Sequence, residues 1–152
     1  MPPHVDDAGI TNESYVLRAL PNWVTIDNGR ERPKSEALTD SNYENSCFLE
    51  GAISIGDIVA FLLDHARREE DHRLIEQIES GLAFARIPVS VIRENGFIVE
   101  RRPDEAPECA NPAAHVIVGP PEEIRRKVYE RAAKAIVKHP QTAIIRHIVA
   151  HG

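Results

Sequence analysis

The dipeptide Asn95-Gly96 lies between two runs of β-forming residues in the segment 83–102. Asn-Gly is the strongest short-range signal for a two-residue hairpin turn, because both residues tolerate the positive φ angles that such a turn requires. A turn at this position would pair Ile92 with Val99 across two antiparallel strands. The sequence therefore predicts a fold built around an antiparallel hairpin.

Two segments have the periodicity of amphipathic helices. In residues 57–80, apolar side chains recur with helical spacing on both sides of the polar run 67–73, which predicts either one long helix or two. The segment 121–139 starts with prolines, whose missing amide hydrogens cost nothing at a helix start, and continues with two glutamates that favour the first turn. The last residues, 141–152, are expected to form a short closing helix.

Short apolar strands are predicted at 14–20 and 115–119. Strands come first, followed by a helix, a hairpin, a strand and a helix, so the regular βα alternation of parallel folds is absent. This order predicts an α+β fold, in which a small and mostly antiparallel sheet, with its hairpin turn at Asn95-Gly96, packs against the helices near 57–80 and 121–139.

The length of 152 residues is typical of one domain, which we expect to span 14–152 after a flexible leader at 1–13. The chain has 24 acidic and 18 basic residues and a net charge of -6, which argues against a broad nucleic-acid surface. The two cysteines, Cys47 and Cys109, do not have metal-ligand spacing, so neither a metal nor a cofactor is expected.

The N-terminal residues are polar and acidic, which is unlike a secretory signal peptide. The longest strongly apolar stretch, 58–63, is far too short to cross a bilayer. These features predict a cytoplasmic protein with reduced thiols and no membrane association.

Three residues form the candidate site: Arg18, Ser35 and His115. Arg18 lies in an otherwise apolar strand, where an arginine is costly unless it pairs or binds an anion. Ser35 lies in the long polar loop 27–46. His115 begins a strand, where its ring can donate or accept hydrogen bonds near neutral pH. Together they could hold a phosphate or a nucleotide. The alternative is that these residues form no binding site: Arg18 points to solvent and His115 caps the end of a loop.

The segments LRAL, RERPKSEAL and NPAAHVIVG resemble motifs of a family of short bacterial proteins, for which no activity is known. The resemblance covers roughly residues 16–119 and implies a shared fold rather than a shared function. The chain departs from the pattern at Leu38, where an aromatic residue is usual, in the charged segment 67–73, and in the order Ala114-His115. The positions that match are Arg18, Arg32, Pro33, Ser35, Ala37, Asn111, Pro112, Ala113 and Gly119.

Three functional interpretations follow. The first is a cytoplasmic accessory protein that binds a protein partner within a larger system and uses its charged helix for contacts. The second is a nucleotide- or phosphate-binding enzyme that uses Arg18, Ser35 and His115. The third is a self-assembling structural protein, so that the expected partner is another protein or a second copy of this chain. The sequence leaves open whether the protein is an enzyme.

Overall fold

A computed structural model describes residues 4–147 of the chain. This part contains eight strands, four α-helices and several short 3-10 turns. The strands are β1 (Tyr15–Ala19), β2 (Val24–Asp27), β3 (Arg30–Pro33), β4 (Asn45–Leu49), β5 (Leu82–Pro88), β6 (Ile98–Arg101), β7 (His115–Gly119) and β8 (Ala143–His147). The helices are α1 (Ile55–Arg68), α2 (His72–Ser80), α3 (Val89–Glu94) and α4 (Arg126–Val137).

Six strands form one sheet in the order β6-β7-β4-β1-β5-β8, and each neighbouring pair is antiparallel. β2 and β3 form a separate two-stranded ribbon. Helices pack against the large sheet, which confirms the predicted α+β class. β4 and β7 lie inside this sheet, so each of them is hydrogen-bonded to a neighbouring strand on both sides.

The sheet separates two hydrophobic cores, since successive side chains in a strand point to opposite faces. On one face, α4 and its buried Tyr129 pack over Val16 and Cys47. On the other face, Ile58 of α1 packs near Leu17, a neighbour of Val16 in β1. We call these surfaces the α4 face and the α1 face.

The predicted helical segment 57–80 forms two helices. The hydroxyl of Ser54 caps α1 by accepting a hydrogen bond from the Asp57 amide at 3.1 Å. Between the helices, Glu70 adopts a φ of 54°, which breaks the helical path. The carboxylate of Asp71 then caps α2 by accepting from the Leu74 amide at 3.1 Å.

The predicted hairpin at Asn95-Gly96 does not form. Residues before the turn form α3 instead of a strand, and β6 pairs with β7. Asn95 has a φ of -95°, whereas the predicted two-residue turn requires a positive φ at both residues. Gly96, with a φ of 81°, lies just beyond the helix, where glycine commonly ends α-helices. The same dipeptide therefore ends a helix here.

The helix predicted at 121–139 starts later, at Arg126. The Pro121 carbonyl instead accepts a hydrogen bond from the His4 amide at 2.8 Å. No helix within residues 4–147 is both long enough and apolar enough to cross a bilayer.

The closing helix predicted at 141–152 is also incorrect in its described part. Residues up to 147 form β8, which pairs antiparallel with β5 from Arg86↔Ala143 to Leu82↔His147. Consecutive β-branched residues at 144 and 145 favour a strand, and β5 offers backbone groups that need partners. Residues 148–152 of this prediction lie outside the described part.

The N-terminal residues lie along β6, at the edge of the sheet. The Asp7 amide donates to the Val99 carbonyl at 2.9 Å, and the Asp6 carboxylate accepts from the Val99 amide at 3.0 Å. Ile10 is buried in the core of the α4 face. This segment thus covers part of a strand edge that would otherwise offer backbone groups to another chain.

Candidate functional site

His115 is the first residue of β7 and is 3% exposed. Its Nδ1 lies 2.8 Å from the carbonyl oxygen of Arg102, and its Nε2 lies 2.5 Å from the hydroxyl oxygen of Ser46. The ring also packs edge-on against Phe48, with ring centroids 5.4 Å apart. Both ring nitrogens of this buried histidine therefore have partners.

The Arg102 carbonyl determines which nitrogen carries the proton. A carbonyl oxygen only accepts hydrogen bonds, so Nδ1 of His115 must donate to it. In the neutral ring, Nε2 is then an acceptor, and the Ser46 hydroxyl donates its proton to it. This is the arrangement of an activated hydroxyl nucleophile: a hydroxyl, a base and a group that orients the base.

Ser46 lies in β4 between two buried residues, Asn45 and Cys47, yet it is itself exposed. Strand alternation directs the side chains of those neighbours to the α4 face and the Ser46 hydroxyl to the α1 face. Two residues further along β4, Phe48 is buried against Phe61 of α1. The helices of the α1 face therefore cover Phe48 and leave Ser46 open to solvent.

Sequence reasoning found His115 and missed Ser46. The available signal was a serine directly before the apolar run 47–49. It did not identify the partner, because the contact joins different strands and depends on their register, Phe48↔His115.

Arg18 lies on the opposite face of the sheet. It pairs with Ala85 in the core of the α4 face, whereas His115 pairs with Phe48 on the α1 face. Its Nε donates to the Ala37 carbonyl at 2.9 Å and its Nη1 to the Ser46 carbonyl at 2.7 Å. Two of its nitrogens are thus directed at main-chain oxygens.

Ser35 begins a 3-10 turn, Ser35–Leu38, whose Ala37 and Leu38 are buried in the core of the α4 face. The Ala37 carbonyl of this turn accepts from Arg18, so the structure brings the turn and Arg18 together. His115 lies across the sheet from both. Ser46 connects the two sides, through its carbonyl to Arg18 and through its hydroxyl to His115.

A network of charged side chains adjoins the dyad of Ser46 and His115. Its centre is Arg102, which is 21% exposed and contacts three carboxylates and one histidine. Arg102 Nε donates to Glu100, Nη1 lies 2.6 Å from Glu105 and 3.5 Å from Glu44, and Nη2 donates to Nδ1 of His4 at 2.6 Å. Nε2 of His4 is buried and has no hydrogen-bond partner.

The charges in this network alter the ionisation of its members. Burial raises the pKa of Glu100, but hydrogen bonds from the Val5 amide and from Arg102 lower that pKa more, so it lies below its usual range. Burial lowers the pKa of Arg102, and its contacts with Glu100 and Glu105 reverse the direction and raise it. Both groups are therefore charged at neutral pH.

Cys47 lies next to Ser46 on the α4 face and is fully buried. Burial raises the pKa of its thiol to about 11, although the charge of Arg18 acts in the opposite direction. Because the thiolate is the nucleophilic form of cysteine, this residue is unreactive at neutral pH. Ser46 is thus the accessible member of the pair.

Arg32 and Gly119, two of the positions that match the family motifs, have contacts that support the fold. Arg32 donates to the carbonyls of Lys138 and His139 at the end of α4, where a positive charge favours the helix dipole. A Cβ on Gly119 would lie 2.2 Å from the Tyr43 carbonyl oxygen, so only glycine fits there. These residues maintain the fold around the site.

Among residues 4–147, no group of three or more histidine, cysteine, aspartate or glutamate side chains is placed to hold a metal ion. Comparison of the chain with known protein families, with curated proteins and with solved structures finds no match. The geometry of the site is therefore the basis for the proposals that follow.

Proposed function

We propose that this protein is an acyl-transferring enzyme, a hydrolase or a transferase, in which Ser46 is the nucleophile and His115 is the general base. The observation that carries the proposal is the 2.5 Å contact between Ser46 Oγ and His115 Nε2, combined with the 2.8 Å contact that sets the tautomer of the ring. A nucleophile, a base and an orienting group within hydrogen-bond reach are the signature of nucleophilic catalysis.

The chemistry follows the template of serine hydrolases. Nε2 of His115 accepts the hydroxyl proton while Ser46 Oγ attacks the carbonyl carbon of the substrate. The imidazolium then gives this proton to the leaving group, whose bond to the acyl carbon breaks, and the acyl group remains on Ser46. Water or another nucleophile, deprotonated by His115, releases the acyl group and restores the hydroxyl.

The surrounding charges favour acyl transfer over phosphoryl transfer. Three carboxylates, from Glu44, Glu100 and Glu105, surround the single guanidinium of Arg102 next to the dyad. The resulting negative potential repels phosphate groups and favours neutral or cationic substrates. Because Ser46 is exposed, a substrate can approach it from the open part of the α1 face.

Hydrolysis of an activated ester provides the test. We expect the protein to hydrolyse p-nitrophenyl acetate and to leave p-nitrophenyl phosphate intact. Ser46→Ala should remove the activity. Ser80→Ala is the matched control, since the Ser80 hydroxyl contacts only the Gln77 carbonyl of its own helix, at 3.2 Å, and it should retain the activity. Equal turnover by wild type and Ser46→Ala would contradict the proposal.

A second proposal is that the protein binds a protein partner through the charged segment 67–73. All seven residues of this segment are exposed at the junction of α1 and α2. Such a partner, or a second copy of the chain, would belong to the cytoplasm, where the free thiols of Cys47 and Cys109 remain reduced.

Charge reversal at Arg67 and Glu69 tests this second proposal. The variant should lose a partner that copurifies with the wild type, or a dimer in sedimentation, while Ser46→Ala retains it. A wild-type monomer without a copurifying protein would count against the proposal.

A further inference from the structure

Arg102 lies immediately after the last residue of β6, and it makes a reciprocal contact with His115. Its amide donates to the His115 carbonyl at 2.9 Å, and its own carbonyl accepts from Nδ1 of the His115 ring at 2.8 Å. The direction of this carbonyl therefore determines both the tautomer and the orientation of the catalytic base.

The side chain of Arg102 is anchored at all three guanidinium nitrogens. Its partners are Glu100 at Nε, Glu105 at Nη1 and His4 at Nη2. Glu100 is in turn held by the Val5 amide at 2.7 Å. Such multiple charge-assisted hydrogen bonds fix a planar guanidinium in one orientation. They also fix the main chain from which it extends.

We propose that Arg102 is a positioning residue, whose anchored side chain holds its carbonyl where it keeps Nδ1 of His115 protonated and Nε2 aimed at Ser46. This inference rests on the proposed acyl-transfer function. Arg102 acts through His115, since its guanidinium is occupied by protein groups. It also gives the N-terminal segment a role in the site, because His4 and Val5 complete the set of contacts around Arg102 and Glu100.

The arrangement explains how a main-chain carbonyl can replace the carboxylate that orients histidine in many serine enzymes. A carbonyl carries no net charge, so its benefit depends on its position. The ion pairs that hold Arg102 supply that position.

The test is Arg102→Gln, with Arg101→Gln as the matched control. Arg101 is the adjacent residue and has an ion pair of its own, with Asp7 at 2.7 Å. Its strand partner is Val116, whose side chain lies in the core of the α4 face, on the opposite side of the sheet from the His115 ring. Two readouts are measured: the long-range ¹H–¹⁵N spectrum of the His115 ring, assigned with His115→Gln, and the kcat and KM for p-nitrophenyl acetate.

We expect Arg102→Gln to change the ring from a single Nδ1-protonated form to a mixture of tautomers. The kcat should fall on the order of 10–100-fold, the cost of a misplaced catalytic group, while KM stays unchanged. Arg101→Gln should change neither readout. If Arg102→Gln does not fold, Glu105→Ala removes a single contact, made by a side chain that is 41% exposed, and should shift both readouts in the same direction.

The two readouts separate this inference from the proposed function. Unchanged ring signals and kcat in Arg102→Gln, as in the control, would overturn the positioning role even if Ser46 is the nucleophile. If wild-type turnover does not depend on Ser46, the proposed function fails, and the ring spectrum alone decides whether Arg102 orients His115.

Discussion

Ser46 has a different partner on each face of the sheet. On the α4 face, Arg18 binds its main-chain carbonyl, and on the α1 face His115 binds its hydroxyl. Both are polar side chains in apolar strands, and the sequence places both in one candidate site. The difference lies in the partner atoms, since a carbonyl oxygen has no proton to give whereas a hydroxyl can become a nucleophile. We infer that Arg18 supports the strand and that His115 supports chemistry.

The largest effect is expected on the α1 face, for His115→Gln. Glutamine can still form a hydrogen bond with Ser46, but it cannot accept its proton as a base. Loss of general base catalysis should lower ester turnover about 10²–10⁴-fold. Stopped-flow or steady-state absorbance of released p-nitrophenolate measures it, with circular dichroism to show that the variant is folded. A loss of turnover smaller than threefold would show that His115 is not the general base.

Substitutions of Asn45 and Ser46, neighbours in β4, test the comparison of the two faces through their effects on the free energy of unfolding. Asn45 is buried on the α4 face and donates to the Val118 carbonyl and the Tyr129 hydroxyl, both at 2.9 Å. Asn45→Ala removes both hydrogen bonds, and the acceptor of the Asp40 amide, from a buried position, which should lower the free energy of unfolding by about 2–4 kcal/mol. Ser46→Ala, at an exposed site, should cost roughly 1 kcal/mol or less. Urea unfolding measures both, and the reverse ranking would contradict the assignment of the faces.

The raised pKa of Cys47, on the α4 face, predicts that the stability of the protein depends on pH. Its folded-state pKa is raised to about 11 from 9.0, so above pH 9 the unfolded chain loses the thiol proton while the folded chain retains it. Stability is therefore fully present below pH 9 and is lost as the pH rises toward 11, by roughly 2–3 kcal/mol in total. Urea titrations between pH 8 and pH 11 should show that Cys47→Ala has a smaller fall than its matched control, Cys109→Ala.

Arg18→Met is expected to lower stability modestly and to leave ester turnover nearly unchanged. It keeps the apolar part of the side chain and removes the donors to Ala37 and Ser46, which should lower the free energy of unfolding by about 1–2 kcal/mol. Ester turnover per folded molecule should stay within threefold of wild type, because His115 keeps its contacts. An activity loss as large as that of His115→Gln, without loss of stability, would show that Arg18 belongs to the site.

Local sequence signals predicted much of the fold. The strands predicted at 14–20 and 115–119 follow from nearby residues. The hairpin prediction failed because Gly96 suits both a hairpin turn and a helix end, and the choice depends on whether β7 or the segment before the turn pairs with β6. The closing strand β8 likewise forms because β5 is available as a partner.

The candidate site was predictable only in part, for a similar reason. His115 stood out as a polar residue at the start of an apolar strand. Its partner Ser46 and its orienting group, the Arg102 carbonyl, come from strands and loops distant in sequence. Their meeting depends on strand register and on a main-chain atom, and neither can be identified from residue types alone.

Covalent labelling of Ser46 tests the central claim most directly. An alkyl fluorophosphonate is uncharged and reacts with a serine hydroxyl that is activated by a base, with loss of fluoride. We predict that intact-protein mass spectrometry shows one adduct on the wild type, that peptide mapping places it on Ser46, and that His115→Gln prevents it while Arg18→Met retains it. No adduct on the wild type, or equal labelling of wild type and His115→Gln, would contradict the account.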